Sequence, residues 1–570
     1  MLSFRRLFTR LTTGLILGGS LGAAHANPDY QALIELFNDW RAFEHPGHVN
    51  GAPDYSAANL ARQLEGLSGY RERLQAIDPT DWANDQQIDY YLVWAEMNGL
   101  DFYLRVLKPW ANDPGFYASV RTYQSDTPAE EGPTIHDALR LWQYPVWPRT
   151  ALSEPRPLKA EEAQRLAAEL RVIPPLLEQA RSNLTGQAGD LWSAAVASFD
   201  GQVSALERLG ERLGEGASSD LNEALAAARQ ASVDFRAWIA AEAPKRTGRA
   251  GVGRDQYTWH LRNVLLVNSS FEDEFSISER ELARAHRALR LAELRHRDLP
   301  ELEAADSPET FAKLQSDSIG AYIDFLGSAG VVTIRPWYDR ALRERVFEYV
   351  EPEDRNFFLR VHHLSPKPLW AHFYHYWDLE QMVEAPHASP IRRGALRFNI
   401  WMSRAEGVAT GMEEWSLDAG LYADNPRVEE IVWIMLATRA ARGLASLKVH
   451  DQRFTMAEAS EFHVRHTPRG WMRRDSLLGF EQQLYLQQPG YGTSYVTGAR
   501  IIDDLIRQRA ELRGEAFTMR DFFDDMNDAG MIPVSLLRWA LNDDDSDLRA
   551  ILDTYTPLDN TGGYKLLPNP

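Results

Sequence analysis

The feature that most restricts this chain is a recurring helix-start signal followed by apolar residues three and four apart. Ser278-Glu279-Arg280-Glu281 reads as a capping box, in which the Ser and Glu side chains satisfy orphan backbone N–H groups. Leu282, Ala285, Leu289 and Ala292 follow it at helical spacing. Thr455 to Glu458 and Thr518 to Asp521 carry the same start signal. Stretches 158–183, 191–214 and 219–242 are rich in Ala, Leu, Glu and Arg, all good helix formers. Pro174-Pro175 predicts a break in the first of these, because proline lacks an N–H and clashes with the preceding turn. Strand signals are few: Val331 to Ile334, ended by Pro336, and Val346 to Val350 predict a small β element. The expectation is a mainly α fold, a large multi-helix unit with two lobes. The Pro and Gly cluster at 243–253 places their boundary, giving an N-terminal lobe of about 27–250 and a C-terminal lobe of about 251–570.

Composition removes several function classes. The chain has 570 residues, with 17 Trp, 21 Tyr and 23 Phe, enough aromatic volume to fill a large core and too much for a disordered chain. Its formal net charge of −20 argues against a nucleic-acid partner, since phosphate binding needs basic surface. It contains no cysteine, which excludes disulfides, thiolate metal sites, a Cys nucleophile and a lipidated Cys.

Residues 1–26 read as an export signal. Arg5, Arg6 and Arg10 precede a short apolar stretch from Leu11 to Ala24, and Ala24-His25-Ala26 is an A-x-A cleavage site. Arg5-Arg6-Leu7-Phe8 also resembles a twin-arginine signal. The stretch is too short and Gly-rich to remain as a membrane helix, and no later segment carries a long uncharged apolar run. The expected location is the periplasm or the exterior, with no membrane span.

Beyond the export signal, nucleophile and phosphate motifs are missing: residues 27–570 hold no G-x-S-x-G, no G-K-[ST] and no H-E-x-x-H. What remains is a concentration of histidines. His372, His375 and Asp378 stand at i, i+3 and i+6, which on a helix places them along adjacent parts of one side. Imidazole and carboxylate together suit zinc or another transition metal, and a catalytic site needs about three protein ligands plus an open position. Glu406, from another helix, is the candidate to complete the set. The same histidines, flanked by Phe, Tyr and Trp, also fit a core role bonded to backbone carbonyls.

Several segments resemble the bacterial domain-of-unknown-function family 885, exported helical proteins of zinc-metallopeptidase-like type. They are Ala76-Ile77-Asp78-Pro79, Gln87-Ile88-Asp89-Tyr90, Gly253-Arg254-Asp255-Gln256-Tyr257, Val332 to Pro336, Glu406-Gly407-Val408, Gly420-Leu421-Tyr422 and Pro489 to Gly498, in family order. The resemblance implies a metal-dependent hydrolase with Glu406 at the site, and with His450 and Tyr495 as groups that orient or protonate substrate and stabilise an oxyanion. The family's H-E-x-x-P-G-H is degenerate here. If His375 stands for the second His, Leu369-Trp370 replaces the H-E pair; if it stands for the first, Tyr376 replaces the Glu and Gln381 the second His. Either way the water-activating Glu is gone.

Three readings follow. The first is an exported metallopeptidase-like hydrolase of peptide or amide-like substrates with a rebuilt or degenerate zinc site: His375, Glu406, His372 and Asp378 as metal candidates, Tyr495 and His450 as catalytic ones. The second is an inactive periplasmic ligand-binding or scaffold protein derived from such a hydrolase. The third is a metal-free lyase using a His/Tyr pair.

Overall fold

Helix starts are set by side chains that accept the first free backbone N–H groups. Ser56, Ser218, Ser270, Ser307, Asn356, Thr455, Asp475 and Thr518 each do so. The computed structural model describes residues 28–120, 158–214, 217–398, 400–559 and 562, so the export signal lies outside the described residues.

The architecture is mainly α. The Ala-rich stretches form Ala160–Leu170, Ile173–Asn183, α1 (Gly189–Leu213) and α2 (Ser219–Glu242), and the Pro174-Pro175 pair sits in the first turn of the second of these. The helix expected to begin at Ser278 begins earlier: α3 (Phe271–His296) is capped by Ser270, with Asp273 completing the box, and Ser278 is buried mid-helix. Two equivalent signals compete in that sequence, and the first one met by the chain is used.

The β element also moves. Among the described residues it is a two-residue antiparallel pair, β1 (His48–Val49) with β2 (Ala52–Pro53). Neither 331–334 nor 346–350 is a strand. A helix side chain does there what a partner strand would: the Gln315 amide accepts from Phe347 N–H at 2.7 Å and donates to its carbonyl at 2.9 Å. Val331 and Val332 bury as loop residues, while Thr333 and Arg335 bond Asp524.

The largest buried apolar cluster includes Trp40, Trp192, Trp259 and Trp377, so residues from both sides of 243–253 share a core. At the centre stand α6 (Met402–Asp418), α7 (Val428–His450) and α8 (Tyr491–Arg513), with α3 packed on α7. Two shorter helices lie against them, α4 (Lys367–His372) and α5 (Tyr374–Glu384). α7 is buried almost all round, its charged residues Glu430, Arg439 and Arg442 included. Where α6 crosses α8 the backbones touch: a Cβ built on Gly407 would lie 2.5 Å from the Gly498 carbonyl carbon. Among the described residues no helix is long and apolar enough to cross a membrane.

Candidate metal centre

Buried polar side chains must find partners, because an unpaired one in the interior costs about 1–3 kcal/mol. Three ligand-type groups meet at the junction of α4, α5 and α6. His372 ends α4, His375 lies in the first turn of α5, and Glu406 lies in the first turns of α6. One ligand atom from each falls within 4.8 Å of the others, and all three residues are buried. The helix breaks at Phe373, so the two imidazoles do not follow one continuous helical face; their rings stand 5.1 Å apart at 82°.

A carboxylate stands beside the first histidine. His372 Nδ1 lies 3.0 Å from Glu413 Oε1, and its Nε2 faces Glu406 Oε2 at 3.7 Å. Glu413 is held in turn by Arg439, whose Nη1 donates to Oε2 at 2.6 Å. Glu406 accepts the Tyr491 hydroxyl at 2.6 Å. Tyr495 lies one turn further along α8, its ring nearly parallel to His372 with centroids 6.0 Å apart. Arg442 covers that tyrosine at 3.8 Å and donates to Glu481 at 2.8 Å. Burial, with Arg439, His375 and Arg442 nearby, holds His372 well below the ordinary imidazole range, so it is neutral and able to ligate. Burial also pushes Glu413 up to about 8, against the pull of Arg439.

Two residues singled out from the sequence lie elsewhere. Asp378 forms a buried pair with Arg404, at 2.7 and 3.2 Å, and is not part of the cluster. His450 ends α7, eight residues beyond Arg442 and so about 12 Å along the axis. Its Nε2–H donates to the Tyr485 carbonyl at 2.8 Å, and its ring packs 5.0 Å from Tyr257. Conversely, Glu413, Arg439, Arg442 and Tyr491 belong to the site and were missed. Their signal in the sequence is that Glu413 follows Glu406 by two helical turns and that Arg439 and Arg442 stand in a stretch, 431–447, with no other charged residue.

The family model for a bacterial protein of unknown function, DUF885, matches residues 45–321 and 375–541. The chain belongs to the DUF885 family. The match resumes at His375, so His372 lies in the unmatched stretch between the two segments. No curated protein matches the chain. A solved structure of a candidate lipoprotein of unknown function from Shewanella oneidensis superposes with a TM-score of 0.64 at 15% identity, covering 91% of this chain and 99% of that one. A candidate lipoprotein from Colwellia psychrerythraea gives 0.64 at 14% identity, covering 90% and 98%. At such identities these likenesses establish a shared fold. In this DUF885 chain, the residues that stand in place of the H-E pair when His375 is the second His are committed elsewhere. Leu369 packs among Ile431, Ile434 and Met435, and the Trp370 indole donates to Ser318 at 2.7 Å.

Proposed function

We propose that this DUF885 protein is an exported, metal-dependent hydrolase of metallopeptidase-like type, acting on a peptide or amide-like bond, with a metal centre rebuilt around His372, His375 and Glu406. The observation that carries this reading is the meeting of their ligand atoms within 4.8 Å. Two imidazoles and one carboxylate suit zinc and leave a fourth position for water or substrate. Bound there, zinc would supply Lewis acidity and lower the pKa of a bound water to about 7.

The protein groups divide the remaining work. Glu413 Oε1 stands 3.0 Å from His372 Nδ1, close enough to take its N–H when the ring ligates through Nε2, which faces Glu406; such outer carboxylates fix the tautomer of metal-ligating histidines. Arg439 holds Glu413, and Tyr491 orients Glu406. Tyr495, beside His372 and under Arg442, is the hydroxyl donor suited to a developing oxyanion. Glu413 and Glu481 are held by arginines, and the family base is replaced by Trp370 in one register of the motif and by Tyr376 in the other. Positioned bases contribute roughly 10²–10⁴-fold, so turnover is expected to be slow by about that factor.

The direct test is elemental analysis of purified mature protein. About one metal per chain is expected, with loss in His375→Ala and Glu406→Ala. Content well below one in the wild type ends the reading. The missing H-E pair favours a second reading, ligand binding without turnover. Peptide cleavage that disappears in Tyr495→Phe excludes that alternative. A His450–Tyr495 lyase pair has no support, because His450 is bonded to a carbonyl away from the centre.

A further inference from the structure

We propose that Arg439 and Arg442 form a carboxylate subsite, so that the ligand of this centre is a peptide-like molecule with a free carboxylate beside the bond presented to the metal. The inference deepens the metal reading, yet binding to the two guanidinium groups does not itself require metal.

The argument starts from unused donors. Arg439 and Arg442 lie three residues apart on α7, on one side of the helix, and each is only 2% exposed. Each spends a single Nη1 on a carboxylate, at 2.6 Å to Glu413 and 2.8 Å to Glu481. Among the described residues, Nε and Nη2 of Arg439 and Nε of Arg442 have no hydrogen-bond partner. A guanidinium fork matches a carboxylate through two parallel N–H bonds, and here Arg439 has two donor nitrogens unused and Arg442 one. Desolvated donors of this kind carry a cost that an incoming anion relieves.

Position makes the spare donors relevant. Arg442 lies 3.8 Å over the Tyr495 ring and Arg439 6.0 Å from it, so both face the aromatic ring that stacks on His372. Arg439 is one carboxylate away from His372 through Glu413. A carboxylate received by this pair therefore sits next to the ligand cluster, where it anchors the adjoining amide. Two fixed planar cations also discriminate against an uncharged end, because their donors would then stay unpaired.

Calorimetric titration of chelator-treated, full-length mature protein tests this, with N-acetyl-dialanine as the free acid, its C-terminal amide, and inorganic phosphate as probes. The free acid is expected to bind at least about tenfold more tightly than the amide. That preference should vanish in Arg439→Gln and in Arg442→Gln. Arg439→Lys and Arg442→Lys, which keep the charge and guard against misfolding, should each weaken it. Equal binding of acid and amide by the wild type, or no binding of either, overturns the proposal, as does a preference that survives both Lys variants. Phosphate binding as tight as the acid overturns the assignment to carboxylate. Protein that carries no metal as purified, before chelator treatment, yet prefers the acid sinks only the metal reading, whereas protein that carries metal as purified but shows no preference sinks only this one.

Discussion

Glu413 is the residue on which the candidate centre turns. One of its oxygens lies 3.0 Å from His372 Nδ1 and the other accepts from Arg439, so a single side chain stands against the imidazole and holds a buried cation. Glu413→Gln keeps the shape but exchanges one acceptor oxygen for an NH2 group, so it cannot accept from both His372 and Arg439. Metal affinity is expected to fall about 10–100-fold, as for other outer partners of ligating histidines, measured by competition with a chromophoric chelator. Unchanged affinity would show that His372 is not oriented by this carboxylate. Glu413→Ala should cost more in stability, about 3–5 kcal/mol, because it strands Arg439 inside the protein. At this scale the sequence offers His372, His375, Glu406 and Tyr495 as candidates through ligand chemistry and motif order, and the fold brings the ligand atoms of the first three together. Asp378 and His450 could not be sorted in the same way. A buried carboxylate facing Arg404 and a histidine bonded to a carbonyl look the same in sequence as a metal ligand and a proton donor.

The crossing of α6 and α8 determines whether those residues meet at all. Gly407 and Gly498 let the two backbones touch, which brings Glu406 on one helix to Tyr491 on the other. A methyl at Gly407 meets backbone atoms on Gly498 and Ala499, and no rotamer change can clear them. Gly407→Ala is therefore expected to destabilise by about 3 kcal/mol, the upper end of overpacking costs, and to reduce metal binding by separating the helices. A urea midpoint within error of the wild type would sink that account. Helices were readable because caps and apolar spacing are local signals: the Thr455 and Thr518 starts occur where the sequence places them. The strand expectation failed because β-branched runs report only a preference for extended backbone. Whether a strand partner exists is decided at a distance, here by Gln315 on a helix.

For the molecule as a whole, burying histidines ties stability to acid. Burial pulls His450 from its ordinary 6.5 down to about 4, and His260 and His463 down to about 3. A neutral buried imidazole binds fewer protons in the folded chain than in the unfolded one, so stability rises with pH between the two values. Above about 6.5 the group has no effect; below it the unfolded chain gains a proton that the fold excludes, and the loss continues until the folded value is reached. For His450 the span corresponds to about 3 kcal/mol. Buried carboxylates such as Glu274, raised by burial to about 7, act in the opposite sense, so the wild-type profile alone mixes the two. A variant comparison separates them. His450→Gln can still donate to the Tyr485 carbonyl but has no proton to gain. Its stability relative to wild type should be constant above pH 7 and improve by about 3 kcal/mol as pH falls to 4, followed by urea unfolding at each pH. A difference that stays flat across this range would mean that His450 is not held neutral in the folded protein.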